Sequence, residues 1–301
     1  MVKINKNKLT IFTPTYNRKK TLERLYKSLL EQTNKDFEWI IVDDGSTDNT
    51  EQYINELIKE GNLLIKYFKQ ENQGKMIAHN RGVKEAKGEL FTCVDSDDYL
   101  NKNAVETIIK VWNKVDKNEC TGIVALKISE NNKPVGTYMP DNVKYSTLLD
   151  LYEKYKFIGD TMLIYKTKII QKYEFPKIEG EKFIPESYLY DKIDLDGKLY
   201  LLNEGLYICE YLSDGYSANI NNVIRNNPKG YILYAKQRME LATKYKDKLK
   251  AAAKYVLGNW LANKRGYIKE SKYKILTILA IPLAYIVYIE RYNKRRNNIE
   301  R

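Results

Sequence analysis

Short apolar runs and helical-period segments take turns along the first 130 residues. "LTIFT" (Leu9–Thr13) reads as a strand, and Leu22, Leu25 and Leu29 then recur at helical spacing. "EWIIVD" (Glu38–Asp43) is a second buried strand. Tyr53, Ile54, Leu57 and Ile58 form the apolar face of a helix from about Thr50, with Asp48 and Glu51 spaced as a capping box. "LLIKYF" (Leu63–Phe68) gives a third strand, Met76–Lys87 a helix and "ELFTCVD" (Glu89–Asp95) a fourth strand. A helix over Asn103–Lys114 and a strand over Gly122–Ile128 follow. This alternation predicts an α/β fold with a doubly wound, mostly parallel sheet. Past about Pro140 the pattern loosens, and beyond about Ile220 it is helical. The expected division is an α/β domain over 1–220 and a helical C-terminal region over 221–301.

In doubly wound sheets ligands meet the carboxyl ends of the strands. Here each of the first four strands is followed by a polar loop: "TPTYN", "DDGS", "ENQGK" and "DSDD". The last stands out, because Asp95, Asp97 and Asp98 repel one another. Asp98 reads as an acid favouring the N-terminus of the following helix. Asp95 and Asp97 suit either acid/base work or a hard divalent cation such as Mn²⁺ or Mg²⁺, which would relieve the repulsion. No G-x-G-x-x-G follows the first strand. Gly74-Lys75 is no P-loop, since no glycine stands five residues earlier and Met76 replaces the Ser/Thr. Phosphate is therefore expected to reach this edge through a metal and not a glycine-rich nest.

Of the 301 residues 43% are apolar, enough for a sizeable core, and the net charge of +12 points to an anionic partner. Nucleic acid fits poorly, because an acidic strand edge repels phosphate. Cys93, Cys120 and Cys209 have no C-x-x-C spacing, which argues against a zinc site or disulfide framework and for a reduced, cytoplasmic setting. The polar start "MVKINKNKLT" carries no signal-peptide pattern. Two other functions stay open: a nucleotidyltransferase making a nucleotide sugar, and a non-catalytic protein that binds anionic surfaces. The first would carry a glycine-rich basic loop near the N-terminus, and "TPTYNRKK" lacks the glycines.

"TIFTPTYNR", "IIVDDGSTDNT", "ENQGKMIAHNRGVKEAKGE" and "FTCVDSDDYL", in this order and spacing, resemble family 2 glycosyltransferases of the GT-A fold. The resemblance implies a nucleotide-sugar-binding catalytic domain over 1–220. It also implies inverting transfer from a nucleotide-diphosphate sugar, with UDP the expected nucleotide and Mn²⁺ or Mg²⁺ the expected cofactor. Carried over, Pro14 and Tyr16 match the nucleoside-contacting turn. Asp43 or Asp44 matches the acid that hydrogen-bonds the base or ribose, with Asp44 favoured for the base. Asn72, Gly74 and Asn80 fall in the segment flanking the diphosphate. Asp95 and Asp97 match the D-x-D motif, Asp95 near ribose and metal and Asp97 as direct ligand. His79, the one histidine, stands where members often have Arg, and reads as structural.

Inverting transfer needs a base that takes the proton of the acceptor hydroxyl, and a carboxylate ionised at neutral pH suffices. "KFIPESYLYDKI" (Lys182–Ile193) resembles the family's base-bearing segment, which assigns that role to Glu186, with Asp191 as second choice. Leu189 and Ile193 would form the apolar face of the helix it opens. "EYLSDGYSAN" and "NNPKG" resemble the later half of bacterial polysaccharide glycosyltransferases. The implied acceptor is a glycan or a lipid-linked sugar.

"ILTILAIPLAYIVYI" (Ile275–Ile289) is uncharged. As a helix it would span about 22 Å at ~1.5 Å per residue, short of a hydrocarbon core of about 30 Å. It is expected to lie at a membrane interface or re-enter it, kinked at Pro282. Arg291, Lys294, Arg295 and Arg296 beside it would favour the cytoplasmic face of the plasma membrane.

Overall fold

All seven residues of β1 (Leu9–Thr15) and all seven of β2 (Phe37–Asp43) are buried, as strands covered on both faces must be. The structure is a computed structural model that describes residues 8–210 and 218–292. Helix α1 (Lys19–Leu30) joins these strands, α2 (Thr50–Glu60) leads to β3 (Ile65–Lys69), and α3 (Lys75–Glu85) leads to β4 (Leu90–Cys93). Then come β5 (Tyr99–Leu100), α4 (Ala104–Trp112), β6 (Cys120–Ile128), β7 (Tyr145–Ser146), α5 (Leu148–Glu153) and β8 (Thr161–Lys166). The remainder comprises α6 (Thr167–Ile170), α7 (Ser187–Ile193), β9 (Lys198–Ile208), α8 (Ile220–Asn226), α9 (Pro228–Leu241), α10 (Tyr245–Leu261), α11 (Tyr267–Glu270), α12 (Lys274–Leu279) and α13 (Ile281–Tyr292).

Among the described residues the sheet has nine strands, ordered β3-β2-β1-β4-β8-β6-β9-β5 with β7 on β9. β3, β2, β1 and β4 pair in parallel, so their carboxyl ends share one edge. The expected doubly wound α/β fold is present, with antiparallel additions, since β5 and β7 both run antiparallel to β9. β8 enters antiparallel between β4 and β6. It starts beside the end of β6, with Leu126 opposite Thr161, so the chain returns from the edge where it left and must run backwards. Leu22, Leu25 and Leu29 of α1, and Ile54 and Leu57 of α2, pack into one core with Ile11, Trp39 and Ile41. The capping box does not form. Asn49 is the N-cap of α2, Asp48 accepts from Thr50 N at 3.0 Å, and Glu51 reaches Lys69 at 2.6 Å.

Glu38 is 1% exposed. Its carboxylate accepts from Thr10 Oγ1 at 2.7 Å, Lys66 Nζ at 2.6 Å, Lys87 N at 2.6 Å and Gly88 N at 3.1 Å. Burial opposes its charge, but these donors more than offset it and hold its carboxyl below the usual range. Glu38→Ala should destabilise the protein by about 3 kcal/mol, because it strands buried donors and a cation. Denaturant melts check this. The folded-state pKa lies below the unfolded one, so the wild-type advantage should be present above the unfolded value and fade as pH falls through the folded one.

The chain divides into two compact units, Met1–Phe175 with Leu189–Glu210 and Pro176–Tyr188 with Tyr211–Arg301. This differs from the division expected at residue 220, because Pro176–Tyr188 packs with the C-terminal helices. Glu181 accepts from Lys229 N at 2.9 Å and Gly230 N at 2.8 Å, and Lys182 N donates to Asn227 Oδ1 at 2.8 Å. Gly230 is required by the close approach, since a Cβ there would lie 2.2 Å from Phe183 O. Within the second unit, Ala251, Ala252 and Val256 of α10 share a core with Ala235, Leu276, Ala280 and Ala284. Ile275–Ile289 is divided between α12 and α13, with Pro282 at the second position of the latter. Among the described residues no helix is long and apolar enough to cross a membrane. Residues 211–217 of "EYLSDGYSAN", and Lys294, Arg295 and Arg296, lie outside the described residues.

Candidate active site

Side chains of the polar loops themselves hold the four strand ends together. Pro14 is buried near the end of β1, and Tyr16 just beyond it is 48% exposed. Asn17 adopts a positive φ of 53°. Its N–H donates to Ser46 Oγ at 2.9 Å and its Oδ1 accepts from Thr47 N at 2.8 Å, which fastens the first loop to the second.

Asp43 and Asp44 are buried at the end of β2. Asp43 Oδ1 accepts from Ser46 N at 2.7 Å, and Oδ2 accepts from Tyr67 OH at 2.9 Å. Asp44 Oδ1 accepts from Gln70 Nε2 at 2.8 Å and Gln73 N at 2.9 Å, and its Oδ2 accepts from Gly74 N at 2.7 Å. A carboxylate offers about four acceptor sites, so Asp44 is largely engaged in bracing the third loop. Gly45, at φ +86°, lets that loop close in, since a Cβ there would sit 3.0 Å from Asn72 N. Asn72 and Gly74 therefore lie against the loop after β2, with Gly74 as N-cap of α3.

Lys75, the first residue of α3, joins the third loop to the fourth through an ion pair between its Nζ and Asp95 Oδ1 at 2.7 Å. Asn80, one turn further on, has both amide atoms bonded to Phe175: Nδ2 donates to its carbonyl at 2.8 Å and Oδ1 accepts from its N–H at 2.9 Å. Its side chain thus anchors the chain at Phe175. His79 is buried edge-on against Phe12, Phe91 and Phe175, the surroundings of a core residue.

The acids after β4 are not equivalent. Asp95 and Asp97 are part-exposed, while Asp98 is buried. Asp98 is not a helix cap, because β5 intervenes and α4 begins at Ala104. β5 pairs with β9, placing Leu100 opposite Tyr207. Tyr207 OH donates to Asp98 Oδ2 at 2.7 Å and accepts from Asp95 N at 3.0 Å, while Asp98 Oδ1 accepts from Glu210 N at 3.1 Å. Lys127 lies 4.0 Å over the Tyr207 ring and 3.9 Å from Asp98. Arg24 donates to Asp97 O and to Glu210 Oε2, the latter at 2.6 Å. The D-x-D turn is therefore clamped from α1 and from the end of β9.

Electrostatics separate the pair. Desolvation opposes the charge of Asp95, but Lys75 and then Lys127 outweigh it and hold its carboxyl below the ordinary range. Desolvation and then the neighbouring Asp95 charge push Asp97 upward. Burial, opposed by Lys127, raises Asp98 to about 6. Asp97 thus carries a negative charge that its surroundings disfavour and that a cation would relieve. Two hard oxygen donors fit Mn²⁺ or Mg²⁺ as part of a coordination shell. Among the described residues no group of three His, Cys, Asp or Glu forms a fuller site, so phosphate oxygens and water would supply the rest.

Glu186 is half-buried and immediately precedes α7, which begins at Ser187 and not at Pro185. It belongs to the second unit, whereas Asp95 and Asp97 belong to the first. Leu189 and Ile193 are fully buried, as the expected helix face requires, and Asp191 between them is buried too. Lys75, Lys127 and Tyr207 escaped the sequence reading. Lys75 had a signal, a cation at the first helical position after a glycine. Tyr207 had none, since it is 112 residues from its partner Asp95. Tyr207→Phe should cost about 1–2 kcal/mol of stability, because it leaves a buried carboxylate and an N–H without their shared hydroxyl. Thermal melts read that loss.

A family model described as "Glycosyl transferase family 2" matches residues 10–174. Glycosyltransferase GlyA of Streptococcus pneumoniae is 30% identical over 217 residues, covering 67% of this chain and 30% of that protein. The GalNAc(5)-diNAcBac-PP-undecaprenol beta-1,3-glucosyltransferase of Campylobacter jejuni is 38% identical over 109 residues, covering 36% of this chain and 35% of that protein. The chain thus spans about a third of the length of these two relatives. Staphylococcus aureus TarS 1–349, solved with UDP-GlcNAc, superimposes with a TM-score of 0.62 at 23% identity, covering 91% of this chain and 79% of that one. That likeness speaks for the fold.

Proposed function

Because the chain belongs to glycosyl transferase family 2, we propose that it is an inverting, metal-dependent hexosyltransferase. In this reading it moves a sugar from a nucleotide-diphosphate sugar, with UDP the nucleotide, to a hydroxyl of a glycan or lipid-linked acceptor. The setting is bacterial surface polysaccharide synthesis at the cytoplasmic face of the plasma membrane. The observation that carries the reading is the strand edge itself, where four loops are fastened together around Lys75, Asp95 and Asp97. The S. pneumoniae relative is named a glycosyltransferase, the C. jejuni relative is named for a polyprenyl-linked acceptor, and the TarS fragment was solved with UDP-GlcNAc. All three names agree with this assignment.

Each group has a task. Pro14 and Tyr16 wall the nucleoside pocket. Asp43 and Asp44 build that pocket by bracing the loops above it. Asn72 and Gly74 flank the diphosphate, and Asn80 holds the segment from behind. Asp95 and Asp97 would hold Mn²⁺ or Mg²⁺, which when bound neutralises the leaving diphosphate. Lys75 adds a second positive charge beside Asp95, available to a phosphate oxygen when the carboxylate turns to the cation. Glu186 takes the proton from the acceptor hydroxyl, so that its oxygen attacks the anomeric carbon as the bond to the diphosphate breaks.

A panel of UDP-, GDP- and dTDP-sugars, scored by thermal shift and slow hydrolysis with Mn²⁺, tests the reading. UDP-sugars should raise Tm and release UDP. If none of the sugars shifts Tm with or without Mn²⁺, the donor assignment is wrong.

A further inference from the structure

The apolar segment near the C-terminus has two unlike sides. Leu276, Thr277, Ala280 and Ala284 are buried, and all but Thr277 share a core with α10. The opposite side is bare: Ile275 is 76% exposed, Ile278 51%, Leu279 56%, Tyr285 57% and Ile286 52%. With exposed Pro282 these positions fall on one helical stripe. The stripe continues across the break between α12 and α13, where Ala284 N still donates to Ala280 O at 3.0 Å. A contiguous run of exposed Ile and Leu over three turns is not ordinary surface.

Charge identifies the partner. Tyr245–Tyr292 holds ten Lys and Arg against three acids. Lys274 and Lys272, the latter 3.3 Å from Glu240, are exposed at one end of the stripe, and Arg291 beside Glu290 at the other. A groove lined by Tyr245, Lys272, Lys274, Ile275 and Leu279 opens beside it. A second copy docked face to face would set these cations against their own kind, whereas an anionic bilayer offers hydrocarbon for the stripe and negative headgroups for its ends.

We infer that the exposed face of α12 and α13 is a docking surface for an anionic lipid bilayer, lying flat with Ile275, Ile278, Leu279, Tyr285 and Ile286 in the headgroup–acyl boundary. This deepens the membrane part of the function proposed above and replaces a re-entrant segment with a one-sided contact. The buried alanines stay on α10, so the helices need not leave the protein to bind. Peripheral binding of this kind also brings the enzyme to the surface where a lipid-linked acceptor is met.

The test uses the full chain with vesicles of phosphatidylglycerol and phosphatidylcholine, against vesicles of phosphatidylcholine alone, at low salt. Wild type should float with the anionic vesicles and much less with the neutral ones. Ile278→Asn with Leu279→Asn should weaken binding about tenfold or more, because apolar surface no longer leaves water. Lys272→Glu with Lys274→Glu should weaken it and leave what binding remains less sensitive to salt than that of wild type. All four side chains are exposed, and the one pair lost, Lys272 with Glu240, is a surface ion pair, so both variants should keep a Tm close to wild type. Two results overturn the inference: unchanged flotation of both variants, or a wild-type dimer by light scattering that Ile278→Asn with Leu279→Asn dissociates while wild type ignores vesicles. Asp97→Asn separates this from the catalytic reading, since it should float like wild type while losing transfer.

Discussion

Asp97→Asn should abolish sugar transfer, lowering kcat/KM by about a thousandfold, or ~4 kcal/mol of transition-state stabilisation. It should also remove the ability of Mn²⁺ to raise UDP affinity. Asp97 sits on the turn after β4, clamped through its own carbonyl by Arg24 and through Asp98 by Tyr207 and Glu210. The substitution therefore changes the charge and leaves the clamp intact. Desolvation and the neighbouring Asp95 make an anion at this position unfavourable, so the variant should be at least as stable as wild type. Loss of activity together with a Tm equal to or above wild type would mark a functional charge. Titrating UDP with and without Mn²⁺ gives the second readout, and a metal effect that survives in the variant would remove Asp97 from the metal site.

Glu186→Gln should lower kcat by about two to four powers of ten and leave donor affinity unchanged, because the amide keeps the shape and loses the ability to take a proton. Glu186 is half-buried just ahead of α7. Nearby Tyr188 N donates to Pro185 O at 2.8 Å, a bond that does not depend on the carboxylate. Single-turnover rates and nucleotide titration measure the two quantities. If donor affinity falls in step with kcat, Glu186 belongs to the fold or to the donor pocket. If kcat holds, the base lies elsewhere.

The sequence by itself determined the elements and their order. β1, β2 and β4 came from short apolar runs, and the helices between them from a period of 3.6, signals that are local and need no partner. The polar loops at four strand ends, and Asp95 with Asp97 among them, were legible for the same reason: parallel topology sends every strand's carboxyl end to one edge. The buried Leu189 and Ile193 of α7 were legible too. Tertiary structure decided what each polar group does there. Asp44 binds Gly74 N across 30 residues, and Asp98 meets Tyr207 across 109, so the first braces a loop and the second anchors a turn instead of capping a helix. Lys75 acquired its meaning only when α3 brought it to Asp95. The reversed β8, the packing of Pro176–Tyr188 with the C-terminal helices, and the division of Ile275–Ile289 into a buried and a bare side all follow from long-range pairing. An apolar residue in a sequence announces that it will leave water, but only the folded chain decides whether protein covers it.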